Sequence, residues 1–593
     1  MPLNRAVSAA VATLAFVALT ACGGGDGVGP NQQANHALAD LGTMNVGDVR
    51  VMTFADASDG LTIPASLSTA EYAVILGNSA VASSTIPQYT VAGDWLAPQG
   101  AQIASANLLV PNGGTMRAAP PLWRGAAFEA RLRWLERTEL PPLGTRATGA
   151  GAAAAILPPS PARAQVPTVG TTLSIKVLTA AGFSGSNGAN CSATGFATTT
   201  GVVKAVGAHA IVVSDVASPA GGFSSSDFQS IANEFDAIIY PTDVGYFGTP
   251  TDLDQNGHII IYYTPAVNKL TPAGQASVSG YVGGFFFAGD LYDPTSPPNG
   301  CLSSNKAEIF YLLAPDPVGT FGNRFDTEFV RQVSRGTVAH EFQHMINSGN
   351  RYLAGPSVQF ETTWLDEGLA HFAEGAVGRV AAGLGDLDVV DFNTVTSLPD
   401  SISSAYFLQN LARAKYYVER PDTTGAIVNH LKAGANLASR GAEWSMLRYS
   451  ADWFSNGDPR SFTRKLAAGP DTGTVNLAKS AGVPIDTVLA HWLVTLYTDH
   501  QGIPGLAAQY NYKSYDFQDL VWGTLIENEG TGSYLPIKAI GNGTASLQAG
   551  VPPSSASYFL TSLSNGGARK ILVKNGSSPA TDPNGRIYVV RQQ

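Results

Sequence analysis

The segment His340-Glu341-Phe342-Gln343-His344 constrains this chain more than any other. On a helix, histidines four residues apart share one face a turn from each other, with the glutamate beside them. That is a divalent-metal site, most often for zinc, with a general base included. The flanking pattern supplies the helix. From Asp326 onward, apolar residues recur at Phe329, Val330, Val333, Ala339, Phe342, Met345 and Ile346, the spacing of one buried stripe. Asp326 or Thr327 can cap its start, and Asn347-Ser348-Gly349-Asn350 contains residue types that end helices.

A two-histidine site still needs a third donor. Trp364-Leu365-Asp366-Glu367-Gly368-Leu369-Ala370 also reads as helical, with Trp364, Leu365, Leu369 and Phe372 on an apolar stripe and Glu367, Ala370, His371 and Glu374 on another face. If the two helices are neighbours, Glu367 faces the histidine pair. Gly368 costs about 1 kcal/mol relative to alanine inside a helix, which implies that something packs closely against it. Ligating histidines usually donate their second ring N–H to a carboxylate, so Asp366 and Glu374 are candidate partners; solvated acids are the plain alternative. His371, one turn beyond Glu367, is a candidate to border a substrate. The bland reading of the whole region is an amphipathic helix pair with partly buried histidines.

These residues resemble the gluzincin metallopeptidases, in which the two histidines are followed by a glutamate ligand from a second helix. HEFQHMIN followed by ETTWLDEGLAHFAE is more narrowly similar to the hyicolysin family. So are the stretches from Phe235 to Thr264, Gly283 to Tyr292 and Ser303 to Pro317. The resemblance covers about residues 166 to 500. It implies an α+β, multidomain chain with a thermolysin-type catalytic domain, His340, His344 and Glu367 as zinc ligands and Glu341 as catalytic base. It also implies that the strand Ile309 to Leu313, just before the metal helix, is the sheet edge that pairs with an extended substrate. Gluzincins add a tyrosine or histidine for the oxyanion. Here Ser439-Arg440-Gly441 has no adjacent tyrosine, and Tyr406, Tyr416, Tyr417 and Tyr449 are the alternatives.

The N-terminus points to export. Met1 to Arg5 is positively charged, Ala6 to Leu19 is apolar, and Leu19-Thr20-Ala21-Cys22 resembles a bacterial lipobox, so residues 1–21 read as a signal peptide and Cys22 as lipid-modified. Residues 22–34 form a glycine-rich tether. The absence of Asp at position 23 favours the outer membrane; plain secretion is the alternative. Cys191 and Cys301 then remain as a pair that an oxidising compartment can bridge, or as two buried thiols.

A net charge of −10 argues against a nucleic-acid partner. No phosphate-binding glycine loop, dinucleotide fingerprint or tandem repeat is present. Residues 35–112 read as a small β domain. Residues 113–167 hold a short helix with Arg124, Arg131, Arg133 and Arg137 and an Ala/Pro/Gly-rich linker. That layout suits a removable propeptide or a permanent spacer. Residues 168–325 read as a β-rich catalytic subdomain, 326–530 as a helical one, and 531–593 as a small β-sandwich-like domain or part of one. Asp252, Asp254 and Asn256 make half of a calcium loop, but its twelfth position is Tyr263 rather than an acid; a simple Asn-Gly turn is the alternative. The expected protein is a monomeric, lipid-anchored zinc endopeptidase acting on proteins or peptides. The competing expectations are a catalytically silent surface-binding protein on the same fold, and a zinc hydrolase of a non-peptide substrate.

Overall fold

The computed structural model describes residues 39–96, 124–140 and 165–593, apart from short stretches at 67, 82–84, 185–190, 192–193, 296–299, 355–358, 428–436, 524–534, 542–543 and 564–566. The signal-like segment, Cys22, the tether and residues 141–164 of the linker lie outside the described residues. Among the described residues no helix is long and apolar enough to cross a membrane.

A mixed sheet of six strands carries the N-terminal half of the central region. Its order is Gly284–Phe286, Ile309–Leu313, Ile259–Thr264, Ala210–Asp215, Phe196–Val206 and Thr172–Leu178. The three central strands run parallel and are buried on both faces, hence the continuous apolar runs of Ile259 to Tyr263 and Ile309 to Leu313. The outer strands are antiparallel. Ile309–Leu313 is therefore interior, and the expectation that it forms the edge is corrected: Gly284–Phe286 covers it. Gly284 allows that arrangement, because a Cβ there would sit 2.6 Å from Leu312 and 2.9 Å from Thr337 on the metal helix. Behind this edge Cys191 and Cys301 are disulfide-bonded across 110 residues, a closure contributing roughly 4–5 kcal/mol in the chain-entropy model.

The helices that matter for the site are α1 (Arg124–Glu139), α2 (Thr327–Ala354), α3 (Thr363–Ala381), α4 (Leu408–Val418) and α5 (Leu437–Phe454). One apolar core runs from the sheet through Phe342, Ile346, Leu369 and Trp444 into the C-terminal helices.

The two terminal β regions do not stand apart. Strand Ala70–Asn78 lies between Ser555–Leu563 and Gly585–Arg591, and strand Gln88–Leu96 lies between Ala568–Asn575 and Thr544–Gly550. The two sheets enclose a core of their own that includes Val74, Leu76, Val91, Phe559, Ile571 and Ile587. The outer face of one sheet rests on the central region, where Tyr558 donates to Leu493 O at 2.9 Å. Two expected β domains are thus one sandwich, because strands pair by apolar face and not by nearness in sequence, and Ala70–Asn78 and Ser555–Leu563 are buried on both faces.

Candidate active site

The metal helix starts where Asp326 caps it, its Oδ1 accepting from Phe329 N at 2.8 Å. It does not end at Asn347–Asn350. Tertiary partners carry it on to Ala354: Asn347 donates to Asp366, and Arg351 is buried against Glu361. On α3 a Cβ at Gly368 would lie 2.7 Å from Leu447, so α5 passes close at this point and brings Arg440 to Glu367.

The donors converge. His340 Nε2 and His344 Nε2 are 3.2 Å apart, and Glu367 Oε2 lies 3.4 Å from the first and 3.9 Å from the second. Zinc with bonds of about 2.0–2.1 Å in tetrahedral array spaces its donors about 3.3–3.4 Å apart, so the triangle has the size that ion requires. All three residues are buried, and Glu367 Oε1 accepts no hydrogen bond among the described residues, an orphaned acceptor a cation would satisfy. The residues present fit a divalent metal.

Each histidine is held from behind. His340 Nδ1 donates to Glu374 Oε1 at 2.8 Å, and His344 Nδ1 is 3.0 Å from Asp366 Oδ2, whose other oxygen accepts from Asn347 Nδ2 at 2.7 Å. Glu374 Oε1 also accepts from His371 Nδ1, and its Oε2 meets Arg413 at 2.9 Å. These acids are buried, not solvated. Burial favours neutral carboxyls, but Arg440 and the His340 ring hold Glu367 well below the usual range, and Arg413 and His371 do the same for Glu374. For His371, burial and then Arg413 push the pKa down, leaving a neutral ring. Glu374→Gln, which removes the charge behind His340, is expected to weaken zinc binding by about 10–100-fold, read by competition with a chromophoric chelator. Unchanged affinity would show that Glu374 does not orient the ligand.

In the metal-free chain burial disfavours the His340 imidazolium, yet the bonds to Glu367 and Glu374 outweigh that and raise its pKa to about 10. A proton below that pKa competes with the metal, so zinc affinity should rise with pH, by about tenfold per unit between pH 7 and 9, with about one proton released per ion. Calorimetry in buffers of different ionisation enthalpy measures the release. A value near zero would remove His340 from the ligand set.

Glu341 stands beside the triangle and outside it. Its Oε2 accepts from Phe286 N at 2.8 Å, so the edge strand fixes the carboxylate next to the histidines. The cleft above is lined by Tyr281, Gly283, Thr337, His371 and Arg440. The tyrosines weighed for the oxyanion are elsewhere: Tyr406 donates to Glu234, Tyr417 pairs with Ser555, and Tyr449 donates to Gln509 O, while Tyr416 packs at the margin of the core. Arg440 was passed over for want of a tyrosine, yet its Nη1 is 2.8 Å from Glu367 Oε2. Asp252 and Asp254 group with Glu308, and Asn256 stands beside them, its Nδ2 donating to Asp254 Oδ2 at 2.5 Å and its Oδ1 accepting from His258 N within an Asx turn. Sequence reasoning missed Glu129 altogether: it comes from α1 and shares a cluster with Glu341 and His344. The signal available was the placing of Glu129, Arg133 and Glu136 on one helical face.

No family model matches the chain. It is 33% identical over 146 residues to the neutral metalloprotease ShpI of Staphylococcus hyicus, a match covering 25% of this chain and 30% of that protein. The chain thus spans about a third of the curated relative it matches. Part of this chain is thus similar to a metalloprotease, and its His340–His344–Glu367 group could hold a metal ion.

Proposed function

We propose that this protein is a zinc-dependent endopeptidase of gluzincin type, related to the hyicolysins. The observation that carries the reading is the position of Glu341, a carboxylate beside the His340–His344–Glu367 triangle but not part of it, fixed by the backbone of the sheet edge. A binding protein has no use for such a base.

Zinc, when bound, supplies Lewis acidity that acidifies water and polarises a carbonyl. The chain does the rest. An extended peptide lies along the outer edge of Gly284–Phe286, where Gly284 lines the cleft. Glu341 takes the proton of the attacking water and returns it to the leaving amine. Arg440, buried in the cleft lining, donates to the oxyanion as charge develops there. His371, neutral and turned toward Arg440 at 3.4 Å, orients that guanidinium.

We further assign the chain to an exported, lipid-anchored state through Cys22, acting as a monomer on protein or peptide substrates. The lipobox-like segment and a disulfide suited to an oxidising compartment support that assignment. Digestion of casein by the purified chain is the test. The activity should vanish with a chelator and return with about one zinc per chain. Cleavage that persists in the metal-free chain would end the proposal.

A further inference from the structure

Part of the cleft's lining comes from far upstream in the chain: Gly125, Ala126 and Glu129 of α1 face it. Helix α1 crosses the site with Ala126, Glu129, Arg133 and Glu136 on one face, spaced as successive turns. Ala126 O accepts from Arg440 Nη2 at 3.3 Å. A Glu129 carboxylate oxygen lies within 4.8 Å of the ligand-type atoms of Glu341 and His344. Arg133 Nη2 donates to Phe286 O at 2.6 Å, and Glu136 Oε1 accepts from Ala288 N at 2.7 Å. Phe285 pairs with Tyr311 on the inner side, so Phe286 O faces the open edge, where an extended peptide would pair, and Ala288 begins the turn just after the strand. Phe128 secures the helix against Phe285, ring centroids 5.4 Å apart.

A helix kept only for packing buries apolar side chains. This one also buries Glu129, Arg133 and Glu136, at 5%, 2% and 3% exposure. Burying three ionisable groups is costly unless each is paired. Arg133 pairs with Glu136 at 2.8 Å and with Glu129 at 3.5 Å, Arg133 and Glu136 also reach Phe286 O and Ala288 N, and Glu129 is placed beside His344 and Glu341. A carbonyl on Arg440, a carboxylate oxygen beside Glu341 and polar groups on the edge strand are what a bound peptide would present.

We propose that α1 is an inhibitory plug, anchored by Glu129 at the metal centre, by Arg133 on the edge strand and by Glu136 on the turn that follows it, and that hydrolysis requires its withdrawal. The use of the cleft rests on the peptidase reading; its occlusion does not. Withdrawal does not entail loss of everything before residue 165, because strands of residues 39–96 are paired with strands of residues 538–591. The stretches 97–123 and 141–164 flank α1, and cuts in both would free it alone.

The test uses the full, folded chain carrying a site-specific protease sequence in each flank. After both cuts, dilution should release α1 and raise casein cleavage about 10–100-fold, as expected when the open cleft is a minor state beforehand. A synthetic peptide of residues 124–140 should rebind and reverse the gain. The same peptide with Glu129→Gln should bind about tenfold more weakly. In cobalt-loaded protein, the wild-type peptide should shift the visible d–d bands and the Gln peptide should not. If the rate is unchanged once the segment has left, or if the two peptides bind and shift the spectrum alike, α1 is a packing element and the proposal is overturned. If the cut chain holds zinc and binds the peptide through Glu129 but cleaves nothing, the plug stands and the peptidase reading fails.

Discussion

Glu341→Gln is expected to lower kcat by about 10²–10⁴-fold, roughly 3–5 kcal/mol of transition-state stabilisation, while zinc content stays unchanged. The variant isolates the base. Glutamine keeps an oxygen that accepts from Phe286 N, so the edge strand and the side chain hold their places. Because Glu341 lies outside the donor triangle, the ligand set is untouched. What disappears is a group able to take a proton from water and pass it to an amine. Initial rates on a peptide, with metal analysis of the same samples and the N-terminal region in the same state, settle the matter. Activity within a few-fold of wild type would move the base elsewhere, and joint loss of metal and activity would make Glu341 a ligand.

Arg351→Ala should destabilise the fold by about 3–5 kcal/mol, the range seen when one member of a buried ion pair is removed. Arg351 is 1% exposed. Its guanidinium reaches Glu361 Oε2 at 2.7 Å, Asn347 Oδ1 at 2.9 Å and the carbonyls of Gln359, Leu466 and Asp471. Truncation would leave Glu361 buried with neutral donors alone, from Thr362 N, Gly473 N and Asn476 Nδ2. The loss also reaches the metal, since Asn347 holds Asp366 and Asp366 backs His344. Unfolding midpoints in urea should therefore fall for both metal-loaded and metal-free protein, with zinc affinity falling too. A double variant, Arg351→Met with Glu361→Leu, should recover part of the stability. No loss in Arg351→Ala would mean that the cluster is solvated in solution.

The parts of the site legible from sequence were those whose partners lie on the same or the next helix. Histidines four residues apart announce their shared face, and Gly368 announces a close neighbour, although not that the neighbour is Leu447. What escaped depends on pairing across long separations. Gly284–Phe286 has no alternation to mark it as an edge, and its role follows from its register against Ile309–Leu313. Asn347–Asn350 looks like a helix end by local chemistry, but the contacts of Asn347 and Arg351 override that preference. The eleven-residue strand Phe196–Val206, with its run of threonines, passed unnoticed between turns. Asp366 and Glu374 looked as much like surface acids as buried ones, since nothing local distinguishes them. Arg440 and Glu129 escaped for a related reason: each acts on a helix distant in sequence, and a search for a tyrosine beside a glycine does not find an arginine.

The interleaved sandwich bears on the order in which the molecule is built. Strand Ala70–Asn78 emerges early during synthesis, yet both its neighbours, Ser555–Leu563 and Gly585–Arg591, come some five hundred residues later. Contacts of such sequence separation form slowly, and an apolar strand waiting with two open edges is exposed to mispairing. The central region, whose sheet and helices draw on nearer partners, can reach its folded state while the first strands are still unpaired. The terminal module then closes last, and an N-terminal strand left waiting in the meantime is the part of this chain with most need of a chaperone.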